Sequence, residues 1–209
     1  MSADYDLDSA YRIEGPADAR RVYDDWAATY DDSFARDWGY VAPRRIADIF
    51  LAEGGPAGGP VLDIGAGTGL MAEALPGLMI DGIDISPEML ARAAAKGLYR
   101  TRIEADLTAA LPLADAAYGG FVSCGTFTHG HVGADCLPEL LRVAAPGALF
   151  CCGTRPAVYD AMGFGSALAL AAARGQITPP RFFEIDIYEG ASHDHAADTG
   201  LVMLFRKAS

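Results

Sequence analysis

The segment VLDIGAGTGL, residues 61–70, constrains the fold of this 209-residue chain more than any other stretch. An apolar run containing one acid, Asp63, ends at three glycines in the spacing G-x-G-x-G, namely Gly65, Gly67 and Gly69. This pattern is typical of a buried β-strand that turns into a helix, because glycine lets the backbone adopt positive φ angles and approach a ligand closely. The segment therefore predicts a strand–turn–helix unit with a ligand at the turn.

The alternation of strand and helix continues over the rest of the chain. The predicted strands lie at about 61–65, 79–84, 101–105, 118–124, 147–153, 182–188 and 201–207. The predicted helices between them lie at about 69–75, 87–96, 134–143 and 157–173. The last two strands are joined by a polar loop without a helix, which predicts an antiparallel hairpin because a parallel return needs a crossover. The sum is an α/β fold: a doubly wound, Rossmann-like, mostly parallel seven-stranded sheet with an antiparallel C-terminal edge hairpin.

Residues 1–57 have a different pattern and predict a helical N-terminal cap, part of the same domain as the core of residues 58–209. Aromatic and aliphatic residues recur at helical spacing within residues 18–30. A second helix is predicted between Pro43 and Gly54, since proline favours the first turn of a helix and glycine the position after its end. The segment GGPAGGP then separates the cap from the first strand.

Composition and charge exclude several classes of partner. The net charge is −12, and a surface of this kind repels phosphate backbones and anionic membranes, so we expect neither nucleic acid nor membrane insertion. No apolar signal segment or spanning run is visible, and the expected location is cytoplasmic. The adjacent Cys151 and Cys152 point to opposite faces of a strand and are expected to be reduced structural thiols. No Cys-x-x-Cys pair suggests zinc, and no metal is expected.

The acids at three successive strand ends discriminate between two ligands of such a turn, a nicotinamide dinucleotide and S-adenosylmethionine. The dinucleotide pattern G-x-G-x-x-G fails when counted from Gly65, and counting from Gly67 shifts the turn late. Asp63 would repel a pyrophosphate but suits a sulfonium cofactor with a free amino group. Asp84 ends the second strand, where a carboxylate accepts the ribose hydroxyls of either ligand, whereas Asp106 ends the third and suits an adenine amino group. The set favours a ligand of amine, ribose and adenine without phosphate.

With these residues in place, the sequence resembles the class I S-adenosylmethionine-dependent methyltransferases from about residue 22 to the C-terminus. VLDIGAGTG is similar to the glycine motif of that family, GIDIS to its acidic second-strand motif and EADL to its third. Within the family, YDDWAATYD and GTFTHGHV most resemble the Williams–Beuren critical-region and the quinone-biosynthesis-like methyltransferases.

The resemblance implies which residues hold S-adenosyl-L-methionine. The glycine turn would pass the methionine and sugar, Asp63 would face the amine, and Asp84 would hold the ribose. The adenine would lie among Ile85, Asp106 and Leu107, and Cys124 would offer backbone groups near the methionine end. The implied cofactor-binding set is Asp63, Gly65, Ala66, Gly67, Gly69, Asp84, Ile85, Asp106, Leu107 and Cys124, together with Tyr23, Trp26 and Tyr30 of a lid. Packing of Trp26 and Tyr30 in the core is an equal alternative for the lid residues.

The chemistry implied is methyl transfer to a small-molecule acceptor, in which the protein supplies alignment and a dry pocket. His129 and His131, on the loop after the fourth strand, are the candidate catalytic bases if the acceptor loses a proton. The second pair, His193 and His195, is interpreted as part of a solvated turn.

The predicted acceptor pocket lies between the cap, residues 125–133 and residues 154–165. Arg155, Tyr159, Met162 and Phe164 are its candidate lining. Two alternatives stay open: a non-catalytic protein that binds S-adenosylmethionine or S-adenosylhomocysteine, and a nicotinamide-dependent oxidoreductase in which Asp63 and Asp106 are incidental.

Overall fold

A computed structural model describes residue 13 and residues 15–128, 132–190 and 192–209 of the chain. Within that part it forms a seven-stranded sheet in the order β3-β2-β1-β4-β5-β7-β6. The strands are β1 (Val61–Ile64), β2 (Ile80–Asp84), β3 (Thr101–Glu104), β4 (Tyr118–Phe127), β5 (Ala144–Thr154), β6 (Arg181–Asp186) and β7 (Thr199–Arg206). The first five strands pair in parallel, whereas β7 runs antiparallel to both β5 and β6. The predicted sheet and its antiparallel edge hairpin are thus confirmed.

The helices flank this sheet and precede it. The α-helices are α1 (Pro16–Trp26), α2 (Ala42–Ala52), α3 (Leu70–Glu73), α4 (Pro87–Lys96), α5 (Leu137–Val143), α6 (Pro156–Ala161) and α7 (Phe164–Ala173). A π-helix spans Tyr30–Arg36, and a 3-10 turn, Ala134–Cys136, precedes α5.

Three predicted helices differ from those observed, each for a local reason. The helix predicted to reach residue 75 ends at Glu73, because Pro76 lies just beyond it. The helix predicted over 157–173 is divided into α6 and α7 at Gly163, whose φ of 77° is left-handed. The first cap helix ends at Trp26 rather than residue 30, and the chain resumes as the π-helix after a turn.

Both faces of the sheet are buried at the central strands β1, β2 and β4, as a parallel sheet requires, whereas the outer strands β3 and β6 are largely exposed. On one face, Phe121 of β4 stacks on Phe150 of β5 with ring centroids 4.2 Å apart, and Phe150 stacks on Phe205 of β7 at 4.7 Å. The opposite face packs against α2, whose Phe50 is fully buried. A smaller cluster joins α1 to the loop after β6, where Trp26 and Tyr188 lie together in the core.

Strand β4 departs from β5 near its carboxyl end. The two strands pair at Ser123 and Cys152, and the next pair is Phe127 and Thr154. Four residues of β4 therefore advance against two of β5, which is a β-bulge. The bulge places residues 124–126 at the edge of the sheet where the carboxyl ends of the parallel strands meet.

Two further predictions from the sequence concern the state of the cysteines and membrane-spanning helices. All four cysteines are free thiols, and Cys136, Cys151 and Cys152 are buried. In the part of the chain that the structure describes, no helix has the length and apolar character needed to cross a membrane.

Candidate active site

A cavity of about 730 Å³, partly open to solvent, lies at the carboxyl ends of β1, β2 and β4, beneath helix α1. This is the edge at which parallel α/β sheets bind ligands. The lining includes nine of the residues singled out from the sequence: Gly65, Gly67, Asp84, Ile85, Asp106, Leu107, Cys124, Tyr23 and Tyr30. Most of the predicted cofactor-binding residues are therefore brought together around one space, and Asp63, Ala66, Gly69 and Trp26 are not among its lining.

The glycines of the turn have two distinct structural roles. At Gly67, with φ 51°, an added Cβ would meet nothing within 4 Å, so the backbone borders open cavity there. At Gly65, with φ 68°, a Cβ would lie 1.8 Å from Oγ1 of Thr126 on β4. Gly69, predicted to border the ligand, instead packs beneath the ring of Tyr99 and is not part of the cavity lining.

Asp84 is held at the end of β2 by the backbone of two turns. Its Oδ2 accepts a hydrogen bond from the amide of Gly67, and its Oδ1 accepts one from the amide of Ser86, both at 2.8 Å. Burial raises the pKa of Asp84, and hydrogen bonds from the amides of Ser86, Gly67 and Ile85 oppose that rise. The Ser86 side chain, and not Asp84, caps α4 by accepting from the amide of Met89 at 3.1 Å. The Asp84 carboxylate is thus fixed in the cavity wall.

Asp63 lies beneath the turn and does not line the cavity. It is fully buried, and its Oδ2 accepts a hydrogen bond from the hydroxyl of Tyr99 at 2.5 Å. Burial raises the pKa of Asp63 to about 7, the bond from Tyr99 lowers it, and the nearby Asp84 carboxylate raises it. Tyr99 was not found by sequence reasoning, since nothing in the pattern links it to a strand 36 residues away.

The third acid is partly exposed at the far side of the cavity. Asp106 accepts hydrogen bonds through Oδ1 from the amide of Thr108 at 2.8 Å and from its hydroxyl at 2.7 Å. This Asx-type turn orders the segment after β3, so that Leu107 is buried while both residues still line the cavity.

The cap residues divide between two spaces. Tyr23 and Tyr30 line both the first cavity and an adjoining second cavity, whereas Trp26 lines only the second. The Trp26 ring is 3% exposed and lies edge-on to Tyr30, with ring centroids 4.9 Å apart. Trp26 therefore packs in the core behind the cap, as the alternative interpretation held, while Tyr30 faces both spaces.

The second cavity, also about 730 Å³, lies between the cap, the β4 bulge and the edge hairpin. Its walls are mostly aromatic and aliphatic: Tyr23, Trp26, Tyr30, Tyr40, Ala42, Ile46, Ile185, Ile187 and Tyr188. Cys124 lies at the junction, since it lines the first cavity, the second, and a smaller space that Ala66 also borders. Its sulfur is 2.9 Å from the hydroxyl of Tyr40, and burial raises the pKa of the Cys124 thiol to about 12.

Of the four residues predicted to line an acceptor pocket, only Arg155 borders the second cavity. Its guanidinium pairs with Asp198 on the hairpin loop at 2.9 Å. The prediction is wrong for the other three, because helices α6 and α7 pack on the opposite face of the sheet. Phe164 is fully buried against Phe127, and Tyr159 and Met162 pack at the rim of that same core.

The two histidine pairs have different outcomes. His129 and His131 lie outside the described residues, and their role stays a prediction. His193 lies at the start of a turn, as interpreted, but it is half-buried: its ring lies 4.4 Å from that of Trp38 and 4.9 Å from that of Tyr188. His195 Nδ1 lies 3.2 Å from the Asp198 oxygen that also pairs with Arg155. The hairpin loop is thus packed against the segment that leads into α2.

The first cavity fits the ligand inferred from the sequence. Among the lining residues that the structure describes, the charged side chains are Asp84 and Asp106, and none is arginine or lysine. Such a wall suits a cation that carries ribose hydroxyls and an adenine, and it offers no side chain to neutralise a pyrophosphate. The open space at Gly67 admits a ligand against the backbone, as the turn requires.

Comparisons with known proteins agree with the fold and the motifs. A family model described as a methyltransferase domain matches residues 62–152. Methyltransferase-like protein 27 of Homo sapiens is 36% identical over 153 residues, which are 70% of this chain and 62% of that protein. The chain therefore spans less than two thirds of the length of this relative.

Solved structures share the architecture at low identity, which shows the fold. The N-methyltransferase NodS of Bradyrhizobium japonicum, in complex with S-adenosyl-L-homocysteine, has a TM-score of 0.68 at 14% identity, over 91% of this chain and 98% of that one. A putative S-adenosyl-L-methionine-dependent methyltransferase of Methanococcus maripaludis has a TM-score of 0.58 at 16% identity, over 91% and 94%. Together with the glycine turn and the acids at the strand ends, the family match identifies residues 62–152 as a methyltransferase domain, and the comparisons support a class I S-adenosylmethionine-dependent methyltransferase with S-adenosylmethionine as its cofactor.

Proposed function

We propose that the protein transfers a methyl group from S-adenosylmethionine to a small, largely apolar acceptor. The observation that carries this proposal is the pair of adjoining cavities. The first has acidic side chains in its wall, the second has aromatic and aliphatic ones, and Tyr23, Tyr30 and Cys124 border both. A donor and an acceptor in these two spaces would meet at the junction.

The chain's own residues hold the cofactor and keep the junction dry. Asp84 would accept the ribose hydroxyls, Ile85 and Leu107 would pack on the adenine, and Asp106 would accept from its amino group. When bound, the cofactor supplies a methyl group on a positively charged sulfur, which an acceptor atom takes with its lone pair while the carbon–sulfur electron pair stays on sulfur. Tyr30 and Tyr40 exclude water at the junction, and burial raises their pKa values, which keeps both hydroxyls neutral.

The acceptor is small and largely apolar because of the walls that it meets. In the part of the chain that the structure describes, the second cavity has no carboxylate in its lining, and its one cation, Arg155, already pairs with Asp198. Polynucleotides are unfavourable acceptors for a protein of net charge −12. If the acceptor must lose a proton, His129 or His131 is the proposed base, since Thr128 and Val132 on either side of them line the second and first cavities.

The decisive experiment is calorimetric titration with S-adenosylhomocysteine and, separately, with NADH. We expect saturable binding of S-adenosylhomocysteine only, weakened at least tenfold by Asp84→Ala, because the substitution removes the acceptor of the ribose hydroxyls. The control is Asp48→Ala, an exposed acid on α2 outside the lining of both cavities, which should leave the affinity unchanged.

Each other outcome supports a different function. Binding of NADH alone would favour the nicotinamide oxidoreductase. Binding of S-adenosylhomocysteine without methyl transfer to any member of a panel of phenols, alcohols, thiols and amines would favour the non-catalytic binding protein.

A further inference from the structure

Tyr99 contacts the glycine turn at several points although it lies outside every motif. It precedes β3, is 6% exposed, and donates its hydroxyl hydrogen bond to Oδ2 of Asp63. The same hydroxyl lies 3.4 Å from the carbonyl oxygen of Ala66. One phenol therefore contacts the acid of β1 and the backbone of the turn that follows it.

The ring of Tyr99 packs directly against two residues that have no side chain. A Cβ on Gly82 of β2 would lie 3.1 Å from the ring, and a Cβ on Gly69 of the turn would lie 3.4 Å from it. The 3.1 Å contact is tighter than ordinary packing and the 3.4 Å contact is at ordinary van der Waals distance, so the ring packs closely between β2 and the turn.

Among the described residues, Tyr99 supplies the hydrogen bond that the Asp63 carboxylate accepts. The second oxygen, Oδ1, is buried without a hydrogen-bond partner. Among the described residues, the ionisable groups that interact electrostatically with Asp63 are Tyr99, Asp84 on β2, Cys124 on β4 and, from the opposite face of the sheet, Cys152 on β5. Burial raises the pKa values of both thiols and of Tyr99, which keeps these groups neutral, and the Asp84 carboxylate opposes a second negative charge. Tyr99 is thus the group that stabilises the charged form of Asp63.

We propose that Tyr99 is a positioning residue of the cofactor site: its hydrogen bond and its ring hold the Asp63 carboxylate and the glycine turn, residues 65–69, in the arrangement that admits the cofactor. The proposal rests on the proposed function for the identity of the ligand. Tyr99 acts through Asp63 and the turn, since it does not line the first cavity, the second or the smaller one.

The test compares Tyr99→Phe with Tyr118→Phe. Tyr118 is a matched control, because its hydroxyl donates to a buried acid, Asp81, at 2.9 Å, at the opposite end of the sheet from the cavity. Calorimetry with S-adenosylhomocysteine from pH 5.5 to 9 should show an affinity about tenfold lower for Tyr99→Phe. Loss of the donor raises the pKa of Asp63, so the rise of affinity with pH should move to higher pH. Tyr118→Phe should change neither quantity.

A second measurement does not depend on the ligand. In the protein labelled with ¹³C at aspartate carboxyls, the Asp63 resonance should titrate at higher pH in Tyr99→Phe than in the wild type. Equal Asp63 titrations and equal pH profiles in the two proteins would overturn the proposal while leaving the proposed function intact. A different result would overturn the proposed function and the choice of ligand instead. In that case the wild type would not bind S-adenosylhomocysteine, while Asp63 would still titrate at higher pH in Tyr99→Phe than in the wild type.

A double-mutant cycle covers the case in which Tyr99→Phe lowers stability. If Tyr99 acts through Asp63, its substitution should have little further effect on affinity in an Asp63→Asn background. Asp63→Asn alone should then reproduce most of the loss of affinity and abolish its dependence on pH near neutrality. Fully additive effects of the two substitutions would overturn the proposal.

Discussion

Asp31 of the cap accepts a hydrogen bond from the hydroxyl of Thr68 in the glycine turn, at 2.5 Å. The same carboxylate pairs with Lys96 at the end of α4, at 2.6 Å, and Asp24 of α1 accepts from the hydroxyl of Ser86 at 2.6 Å. The cap is therefore attached to the segments that follow β1 and β2, and these segments also form the wall of the first cavity.

Asp31→Ala should loosen this attachment. We expect the free energy of unfolding to fall by about 1 kcal/mol, since the lost bonds are charge-assisted but partly exposed. Hydrogen exchange of the α1 amides should accelerate, and affinity for S-adenosylhomocysteine should fall severalfold. Asp32→Ala is the control, because Asp32 forms its ion pair with the exposed Arg36 on the same π-helix and not with the segments after β1 and β2. Equal exchange rates in both variants would contradict the assignment.

Alanine at Gly65 and at Gly67 should have different consequences. Both residues have left-handed φ angles, so each substitution costs about 1–2 kcal/mol in backbone strain. At Gly65 the new methyl group also overlaps Thr126, and thermal denaturation should show a much larger loss of stability. At Gly67 the methyl group enters open space, so the protein should fold while its affinity for S-adenosylhomocysteine falls. A Gly67→Ala protein that binds like the wild type would place the cofactor elsewhere.

The sequence predicted the sheet and the residues around the first cavity because these follow from local pattern. Apolar strands bounded by glycine, and acids at the carboxyl ends of parallel strands, meet wherever such a sheet forms. The contacts across the chain were not predictable in this way. Tyr99 meets Asp63 across 36 residues, and its ring packs closely against Gly82, which lies on another strand. No single segment of the sequence is sufficient to predict a contact between residues that lie on separate strands and turns.

The lining of the second cavity was predicted less well, because the sequence over α6 and α7 predicts one continuous apolar helix. The left-handed Gly163 divides it, and Phe164 then faces the core rather than the second cavity. A hydrophobic pattern predicts that a side chain is buried, but it does not predict which core or cavity the side chain faces. The packing of His193 between Trp38 and Tyr188 was missed for the same reason, since a polar loop gives no sign of a partner far away in the sequence.

Asp63→Asn should stabilise the ligand-free protein at pH 8 relative to the wild type. The raised pKa of Asp63, about 7 against 3.8 for the free side chain, means that the folded protein binds this proton more tightly than the unfolded chain. Because of Asp63, the free energy of unfolding therefore falls as pH rises from about 4 to about 7. The fall is at most roughly 1.4 kcal/mol for each unit by which the folded and unfolded pKa values differ. Urea denaturation at several pH values should show a flatter dependence for Asp63→Asn over that window. A slope identical to that of the wild type would contradict the raised pKa.

Asp198→Asn should alter the choice of acceptor. The substitution removes the negative charge that faces Arg155 and so makes the electrostatic potential at this wall of the second cavity more positive. The test uses two forms of one acceptor, a carboxylate and its methyl ester. In Asp198→Asn, the ratio of KM for the carboxylate to KM for the ester should be roughly three- to tenfold lower than in the wild type. The control is Asp194→Asn, an exposed acid on the same loop. An unchanged ratio would show that Arg155 does not meet the acceptor.

The bulge in β4 separates what the protein needs for folding from what it needs for recognition. Residues 124–126 leave the register with β5, yet strand pairing resumes at Phe127, so these positions face the ligand spaces while the sheet is held together on either side of them. Substitutions at Cys124 are thus expected to reshape the proposed meeting point of donor and acceptor without removing a strand pair of the sheet. Change of substrate in descendants of this chain is therefore expected to begin at this interruption rather than in the strands around it.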